Sequence, residues 1–391
     1  MLLIDVKSFI QAALTIVGLC FLFMIKFATA RHVYNVVDYQ AAGNGRTDDT
    51  QAFLKAWNDA CEDERSPILR FPSGKNFLIN KIRLEGPCRS NISIEVHGNI
   101  TAPNKIWTKE TTNLITFHAI DNLVVHGWGT IDGQGAIWWD CFKRNLLEFV
   151  NCQNLVVSHV RLTNSPNKHL VFDGCNNLTV HGVTIMAPGD SPNTDGIVMQ
   201  GCQQVQITRS KIGTGDDCIA ILTNCSDVDV SGITCGPGHG ISIGSLGKDS
   251  EAVVERIHVH DSTIFQALTG LRIKTWEGGS GFARNITFER IQMMDLITPI
   301  VIDQSYGTMQ LSDVAISEIT FRDINGTSTE EVVVKLECST SVPCTNLTFE
   351  NIIFARAAIN KTVSATIQNA YGTTNGTIIP ILPLAGRSTN L

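Results

Sequence analysis

The feature of this sequence that most constrains its fold is a short motif that recurs along most of the chain. Each copy starts with a polar residue, frequently Asn, and continues with alternating apolar residues. The copies start at positions 122, 154, 177, 204, 227, 256, 285, 318 and 346. The alternation predicts strands with one buried face, and a repeat of this length indicates a solenoid.

Each interval between copies has room for two or three short strands with turns, and no long helical pattern separates the copies. This excludes alternating strand–helix units. We therefore predict an all-β, single-domain parallel β-helix over residues 31–391, with coils about 4.8 Å apart. Residues 47–61 begin with Thr-Asp-Asp-Thr and continue with apolar residues at helical spacing. They predict an N-capped amphipathic helix that covers the N-terminal end of the solenoid.

The first 30 residues have the pattern of a cleaved export signal. Lys7 precedes an apolar run, roughly 9–27, that ends in the small-residue site Ala28-Thr29-Ala30. An uncleaved membrane anchor is the alternative, but Lys26 near the end of the run and the Ala-Thr-Ala site favour cleavage. We expect residues 1–30 to be a signal peptide and the mature chain to be a secreted, extracellular monomer without a membrane segment.

Glycosylation sequons and cysteines agree with export. Nine Asn-x-Ser/Thr sequons predict a glycoprotein. They lie at Asn91, Asn99, Asn177, Asn224, Asn285, Asn325, Asn346, Asn360 and Asn375. Of the 12 cysteines, Cys20 lies in the signal, so eleven remain and at least one is unpaired within the chain.

Several cysteines suggest specific arrangements. Cys338 and Cys344 bracket a turn and are expected to form a disulfide, and two further pairs are candidates. These are Cys61 with Cys88 and Cys218 with Cys235. Four others precede successive repeats, namely Cys152, Cys175, Cys202 and Cys225. We expect them to stack as buried thiols rather than as a disulfide ladder, because in-register strands point equivalent Cβ vectors the same way.

Charge excludes one class of partner. The formal net charge is −7, and it becomes −8 when Asp5, Lys7 and Lys26 leave with the signal. A nucleic acid is therefore excluded as the partner. No Cys-x-x-Cys pair exists, and the pattern at His258 and His260 is more typical of the outer face of a strand than of a metal site. We expect no cofactor and no metal ion.

Polar residues with catalytic potential recur at solenoid spacing. The interval from Asp195 to Asp217 equals the interval from Asp217 to His239, and the longer interval from His239 to Arg272 also matches the repeat. On a β-helix such positions stack along one face and form a groove suited to a linear polymer. Three carboxylates, an imidazole and two cations are the groups that acid-assisted cleavage of an anionic sugar polymer would need.

Two local patterns refine this expectation. Arg272 and Lys274 alternate with apolar residues, so both are expected to point to solvent on one side of a strand, where they could bind polymer carboxylates. Asp216 and Asp217 are neighbours, so either one is satisfied internally or the backbone bends there. Crowded carboxylates repel, and one of them should hold its proton to a higher pH than a free Asp.

These motifs resemble those of glycoside hydrolase family 28, the polygalacturonases, and plant members in particular. The resemblance covers about 34–354. It is carried by Gly43–Thr50, Ser191–Gly196, Thr214–Cys218, Cys235–Gly247, Arg272–Trp276 and Gly278–Gly281. It implies a right-handed parallel β-helix that hydrolyses α-1,4 bonds between galacturonic acid units of cell-wall pectin, with inversion at the anomeric carbon.

The resemblance also implies roles for individual residues. Asp216 would be the general acid, Asp195 and Asp217 the pair that activates water, and His239 the residue that supports the acid. Four further residues would bind substrate, namely Asn193, Arg272, Lys274 and Tyr306. Inverting glycosidases separate acid and base by roughly 6.5–9.5 Å, so we expect this distance between Asp216 and the nearer base.

One position departs from the family pattern, and two other functions remain open. Plant members usually have Cys after the tyrosine, whereas this chain has Gly307. A pectin-binding wall protein without turnover could use the same fold, although three clustered carboxylates suit a binder of polyanions poorly. A pectate lyase shares the fold but would need carboxylates for calcium and a basic proton abstractor.

Overall fold

The repeated motif folds as successive rungs of a β-solenoid. The structure is a computed structural model and describes residues 31–106, 113–139, 145–248, 251–307 and 312–386. The predicted signal peptide lies outside these residues. The folded unit begins at Val33 and consists almost wholly of parallel strands. In the described residues no helix is both long and apolar enough to span a membrane. The predicted all-β parallel β-helix is confirmed.

One face of the solenoid is an 11-stranded parallel sheet with one strand from each coil. Its strands are β5 (Ile82–Glu85), β8 (Ile115–His118), β11 (Leu147–Val150), β14 (Leu170–Asp173), β17 (Ile197–Gln200), β20 (Ile219–Ile221), β23 (Ile241–Leu246), β25 (Thr269–Trp276), β27 (Thr298–Tyr306), β29 (Val332–Glu337) and β31 (Ser364–Gln368). We call this the first sheet.

The remaining strands form a second, bent sheet that closes each coil. They are β1 (Val33–Asn35), β2 (Asn44–Asp48), β3 (Ile68–Phe71), β4 (Asn76–Leu78), β6 (Ile92–Val96), β7 (Asn99–Thr101), β9 (Leu123–His126), β10 (Thr130–Asp132), β12 (Gln153–Ser158), β13 (Arg161–Thr163), β15 (Asn176–His181), β16 (Thr184–Met186), β18 (Gln203–Thr208), β19 (Lys211–Gly213), β21 (Cys225–Ser231), β22 (Thr234–Cys235), β24 (Ala252–Phe265), β26 (Gly281–Leu296), β28 (Ala315–Ser328), β30 (Cys344–Arg356) and β32 (Ala370–Ile379).

The polar residue that leads each repeat occupies a left-handed turn. Asn154 and Asn177 have φ values of 55° and 52°, and the same conformation recurs at the first residue of every copy of the motif. Asn tolerates this conformation better than most residues, which explains why it leads so many copies. The Asn177 amide donates to Asn154 and the Asn154 amide donates to Asn122, so the turns form a side-chain ladder.

The interior contains columns of identical side chains. Phe288, Phe321 and Phe349 stack on three successive coils with ring centroids 5.2 and 4.9 Å apart. The four cysteines of the repeat form a second column of buried, free thiols, as the sequence predicts. Identical residues stack because parallel in-register strands place them at equivalent positions on adjacent coils.

The N-terminal helix, α1 (Thr50–Cys61), packs its apolar face on the first coils. Phe53 contacts Phe71 edge to face at 4.9 Å, and Trp57 contacts Phe117 at 6.3 Å. The predicted capping helix is therefore present, although the carboxylate that accepts from the first helical N–H group, that of Thr50, belongs to Asp48 and not to the N-cap residue. Asp49 instead accepts bonds from the preceding loop.

Among the described residues three disulfides fasten the turns, and all three match the pairs expected from the sequence. They are Cys61–Cys88, Cys218–Cys235 and Cys338–Cys344. The first anchors the end of α1 beside the first sheet, and the second closes a turn next to the polar residues discussed below. The expected unpaired cysteines are the four of the thiol column, and Cys141 lies outside the described residues.

Removing one ring from the phenylalanine column tests its contribution to stability. Phe321→Ala should lower the free energy of unfolding by about 3–5 kcal/mol, because the cavity lies between two rings and cannot collapse. Guanidinium denaturation followed by tryptophan fluorescence measures the change. Ile359→Ala, at a side chain that is 88% exposed, is the control and should stay within about 0.5 kcal/mol of wild type. Equal losses in both variants would contradict a packed column.

Candidate active site

Coil stacking brings the predicted acidic residues and the histidine to one edge of the first sheet. Asp195, Asp217 and His239 each lie just before a strand, namely β17, β20 and β23. These strands pair in register, Ile197 with Ile219 and Ile219 with Ile241. The two equal intervals noted in the sequence therefore each correspond to a single coil.

A tight turn displays the two adjacent aspartates. The segment between β19 and β20 leaves the regular strand conformation, as expected if the backbone bends there. Gly215 allows the close approach, since a Cβ at this position would lie 1.9 Å from the Ser191 carbonyl oxygen. The Gly215 N–H donates to the Thr194 hydroxyl, which ties this turn to the preceding coil.

Asp217 is buried and held by three donors from later coils. Its side chain is 2% exposed; Arg272 donates to Oδ1 at 2.7 Å and Lys274 to Oδ2 at 2.8 Å. Ser242 also donates to Oδ1, at 2.8 Å, and accepts from Arg272. The buried charge is thus paired and hydrogen-bonded on both oxygens, which offsets the cost of removing it from water.

This arrangement corrects the expected environment of the two cations. Arg272 and Lys274 lie on the same side of β25, but they are 9% and 5% exposed rather than solvated. The alternation along the strand identifies the side correctly. It does not reveal that this side faces the Asp217 carboxylate two coils away. Asp217 is the main partner of both cations.

Asp216 points to a different partner. Its Oδ1 lies 3.0 Å from His239 Nδ1, and the His239 amide donates to the Asp216 carbonyl oxygen at 2.8 Å. Burial alone would raise the pKa of Asp216, but the hydrogen bond and charge of His239, together with Lys274, lower it to about 2. The sequence-based link between His239 and a neighbouring carboxylate is present in the structure.

Asp195 has the opposite electrostatic environment. Burial raises its pKa to about 6, Lys168 opposes the shift, and the negative charges of Asp216 and Asp217 add to it. The sequence placed a raised pKa within the Asp216–Asp217 pair, but the pKa of Asp216 is lowered and the raised pKa belongs to Asp195 on the preceding coil. Lys168 Nζ lies 3.0 Å from Asp195 Oδ1.

Sequence reasoning did not identify two residues that hold Asp195. Lys168 is one; the other is His169, whose fully buried imidazole contacts the Asp195 carbonyl oxygen through Nδ1 at 3.0 Å. Nε2 accepts from the Ser165 N–H, so Nδ1 carries the proton. Burial lowers the pKa of His169 to about 4, which keeps it neutral. Both residues precede β14, and only coil register places them beside Asp195.

The carboxylate spacing differs from the expectation. One oxygen of Asp216 lies within 4.8 Å of one oxygen of Asp217. The expected separation of roughly 6.5–9.5 Å is therefore wrong for this pair. The reason is that the bent segment between β19 and β20 directs both side chains toward the same cavity.

These groups line an open cavity of about 480 Å³, which we call the trough. It is lined by Lys168, Asn193, Asp195, Val198, Gln200, Asp216, Asp217, Ala220, Leu222, Thr223, Gly244, Ser245, Gly247, Lys248, Lys274, Trp276 and Tyr306. Asn193 and Tyr306, both expected at the site, are among them. Arg272 and His239 are not lining residues. Arg272 binds Asp217 and His239 binds Asp216, so both act on the trough through these aspartates.

An aromatic corner forms one wall of the trough. Trp276 and Tyr306 meet edge to face at 5.4 Å, and Lys274 Nζ lies 5.1 Å from the centre of the Tyr306 ring. Gly307 belongs to this corner: its φ is +82°, and a Cβ would lie 2.2 Å from the Trp276 ring. A cysteine here would displace Trp276. The aromatic corner therefore depends on glycine at the position where plant members usually have cysteine.

Lys248 is a cation that the motif analysis did not single out. It is exposed, lines the trough, and its Nζ lies 4.7 Å from the centre of the Trp276 ring. The other lysines of the trough are bound to Asp195 and Asp217. Lys248 is thus the lining lysine available to an incoming anion.

Comparison with known proteins places this geometry among carbohydrate-active enzymes. The family model described as glycosyl hydrolases family 28 matches residues 61–374. Polygalacturonase-2 of Solanum lycopersicum is 41% identical over 358 residues, which span 87% of this chain and 78% of that protein.

Two solved structures show similar folds. The polygalacturonase of Erwinia carotovora ssp. carotovora superposes with a TM-score of 0.72 at 25% identity, over 84% of this chain and 94% of the other. The endo-xylogalacturonan hydrolase of Aspergillus tubingensis gives 0.74 at 25% identity, over 86% and 98%.

The electrostatic contrast between the aspartates can be measured directly. Asp195 should titrate near pH 6 by carboxyl ¹³C NMR, with the signal assigned through Asp195→Asn. Lys168→Gln should raise this pKa by roughly one unit, because the charge that favours the carboxylate is lost. Lys211→Gln, at an exposed lysine of β19, should leave it unchanged. An Asp195 titration near the ordinary value of about 4, or one unaffected by loss of Lys168, would contradict the arrangement.

Proposed function

This chain belongs to glycosyl hydrolases family 28, and from this membership we propose that it is a polygalacturonase that hydrolyses α-1,4-galacturonosidic bonds of pectin. Plant polygalacturonases share about 40% identity with it over most of its length. The single observation that carries the proposal is the convergence of Asp195, Asp216 and Asp217 in one open trough.

We assign the general acid to Asp216, and the contact with His239 supports this. An imidazolium beside a carboxylate holds the same proton as a neutral imidazole beside a carboxylic acid. The pair can therefore supply a proton through Asp216 although the pKa of Asp216 alone is low in the free protein. As the bond to the leaving sugar breaks, its oxygen takes this proton from the pair through Asp216.

Asp195 is the proposed proton acceptor for the attacking water. A general base is most effective when its pKa is near the working pH, and burial brings the pKa of Asp195 to about 6. Asp217 has both oxygens bound to Ser242, Arg272 and Lys274, so it orients water rather than accepting the proton. The water attacks the anomeric carbon, its proton moves to Asp195, and the sugar is released with inverted configuration.

The trough can accept a negatively charged substrate because the cations of the trough balance the carboxylates of the trough. Lys168, Arg272 and Lys274 offset three aspartates, so a galacturonate does not approach an uncompensated negative surface. Lys248 and Asn193 are proposed to contact substrate directly, with Tyr306 and Trp276 as the wall against which a sugar ring packs. Lys274 is proposed to bind substrate while it remains paired with Asp217.

The alternative functions fit the contacts less well. A pectate lyase would require carboxylates free to bind calcium, whereas Asp195 and Asp217 are bound by lysine and arginine side chains. A binding protein without turnover would not need a buried aspartate with a raised pKa.

We further propose secretion to the plant cell wall, which the amino-terminal signal pattern and the sequons support.

Replacing the proposed acid tests the function. Asp216→Asn should reduce the release of reducing ends from polygalacturonate at least about a hundredfold while the fold is retained, because the proton donor is lost. Asp190→Asn, at an exposed aspartate nearby, should retain activity. Wild-type turnover in Asp216→Asn would overturn the role of Asp216. Wild-type products that absorb in the ultraviolet would indicate a lyase, and binding without cleavage would indicate a wall-binding protein.

A further inference from the structure

A second cluster of ionisable side chains lies on the outer face of the second sheet, away from the strands that carry the trough. Asp229 of β21 pairs in register with His258 of β24, and His260 follows two residues later on the same face. The two imidazoles stack with centroids 4.2 Å apart. The proposed hydrolysis uses none of these three residues.

The geometry of this cluster matches that of a metal centre. Asp229 Oδ2 lies 3.4 Å from His258 Nδ1 and 3.2 Å from His260 Nε2, and all three residues offer ligand atoms within 4.8 Å of one another. Zinc bonds to nitrogen and oxygen are about 2.0–2.1 Å, so ligand atoms on a tetrahedral ion are about 3.3 Å apart. Two of the three separations already have this value.

The outer nitrogen of each imidazole is bound by a carboxylate. His258 Nε2 lies 3.0 Å from Glu289 Oε1, and His260 Nδ1 lies 2.5 Å from Asp261 Oδ2. When an ion replaces the proton between His260 Nε2 and Asp229, a carboxylate in this position holds the proton on the outer nitrogen and leaves the lone pair of the inner nitrogen for the ion. Histidines that bind metals almost always have such a partner. The cluster therefore has both a set of ligands and the groups that orient them.

The surrounding charges leave the centre open to a cation. Arg290 binds Asp261 at 2.7 Å and also approaches His260 Nδ1 at 3.3 Å. Arg322 binds Glu289 at 3.3 Å. Both guanidinium groups hold the outer carboxylates, whereas Asp229 contacts the two histidines. The three carboxylates outnumber the two guanidinium groups, so neutral imidazoles leave a local negative charge.

We propose that Asp229, His258 and His260 bind a divalent transition metal ion such as Zn²⁺, with water completing the coordination. Two imidazoles and one carboxylate suit zinc, cobalt, nickel and copper, whereas calcium and magnesium prefer oxygen ligands alone. The ion would cross-link two adjacent coils of the solenoid. The sequence favoured an outer strand face for these histidines, and the structure confirms that face while adding carboxylates from other strands.

Calorimetric titration of Zn²⁺ into the protein without a polyhistidine tag tests the site at neutral pH. We expect one ion per chain, a raised melting temperature, and a Co²⁺ absorption spectrum typical of nitrogen and oxygen ligands. His258→Gln and His260→Gln should each weaken binding at least about tenfold. His181→Gln, at a histidine of the same sheet bound to Thr208, should bind like wild type.

Further variants keep the test decisive. Glu289→Gln and Asp261→Asn leave all three ligands in place, and they should also weaken binding if the carboxylates orient the imidazoles. Should a histidine variant fail to fold, these two variants decide the question. Failure of the wild-type protein to take up Zn²⁺ or Co²⁺ would overturn the proposal. Uptake retained in the double variant His258→Gln/His260→Gln would also overturn it, and would indicate the Asp216, Asp217 and His239 cluster instead.

Discussion

The trough depends on one buried interaction, in which the carboxylate of Asp217 is bound by Arg272 and Lys274 from two coils further along. A charge with this little exposure is stable only if it is paired and hydrogen-bonded. Coil register supplies the partners, because β20, β23 and β25 are successive neighbours in the first sheet. A shift of one residue between coils would turn both cations to the interior and leave Asp217 unpaired.

Because Arg272 and Lys274 balance the charge of Asp217, the other two aspartates can differ in pKa. Asp195 is buried beside a single lysine and holds its proton to about pH 6, whereas Asp216 faces an imidazole and loses its own readily. This contrast suits acid and base chemistry, but it reverses the simplest assignment, in which the acid is the group with the higher pKa. In the proposed mechanism the contact between His239 and Asp216 accounts for the difference, because the pair rather than the single aspartate would be the donor.

The sequence predicted the parts of this structure that depend on local chemistry and on the repeat. Left-handed turns require Asn or similar residues at fixed places, so the coils could be counted from the sequence. The spacing of one coil between Asp195, Asp217 and His239 then identified these residues as neighbours. The fold class, capping helix, three disulfides and thiol column followed from the same patterns. What could not be predicted depends on side-chain reach between coils. Lys168 lies at no motif position, and the burial of Arg272 becomes evident only when Asp217 lies beneath it.

The short distance between Asp216 and Asp217 leads to the most direct test of the proposed mechanism. Carboxyl groups about 5 Å apart are typical of retaining glycosidases, in which one carboxylate attacks the sugar. In the proposed mechanism Asp217 is held by Ser242, Arg272 and Lys274 and does not attack the sugar, so the nucleophile is water. Proton NMR of an oligogalacturonide during the first minutes of cleavage reports the configuration of the new reducing end. Attack by water predicts the β-anomer first, with the α-anomer arising later by mutarotation. Initial formation of the α-anomer would show retention and contradict this mechanism.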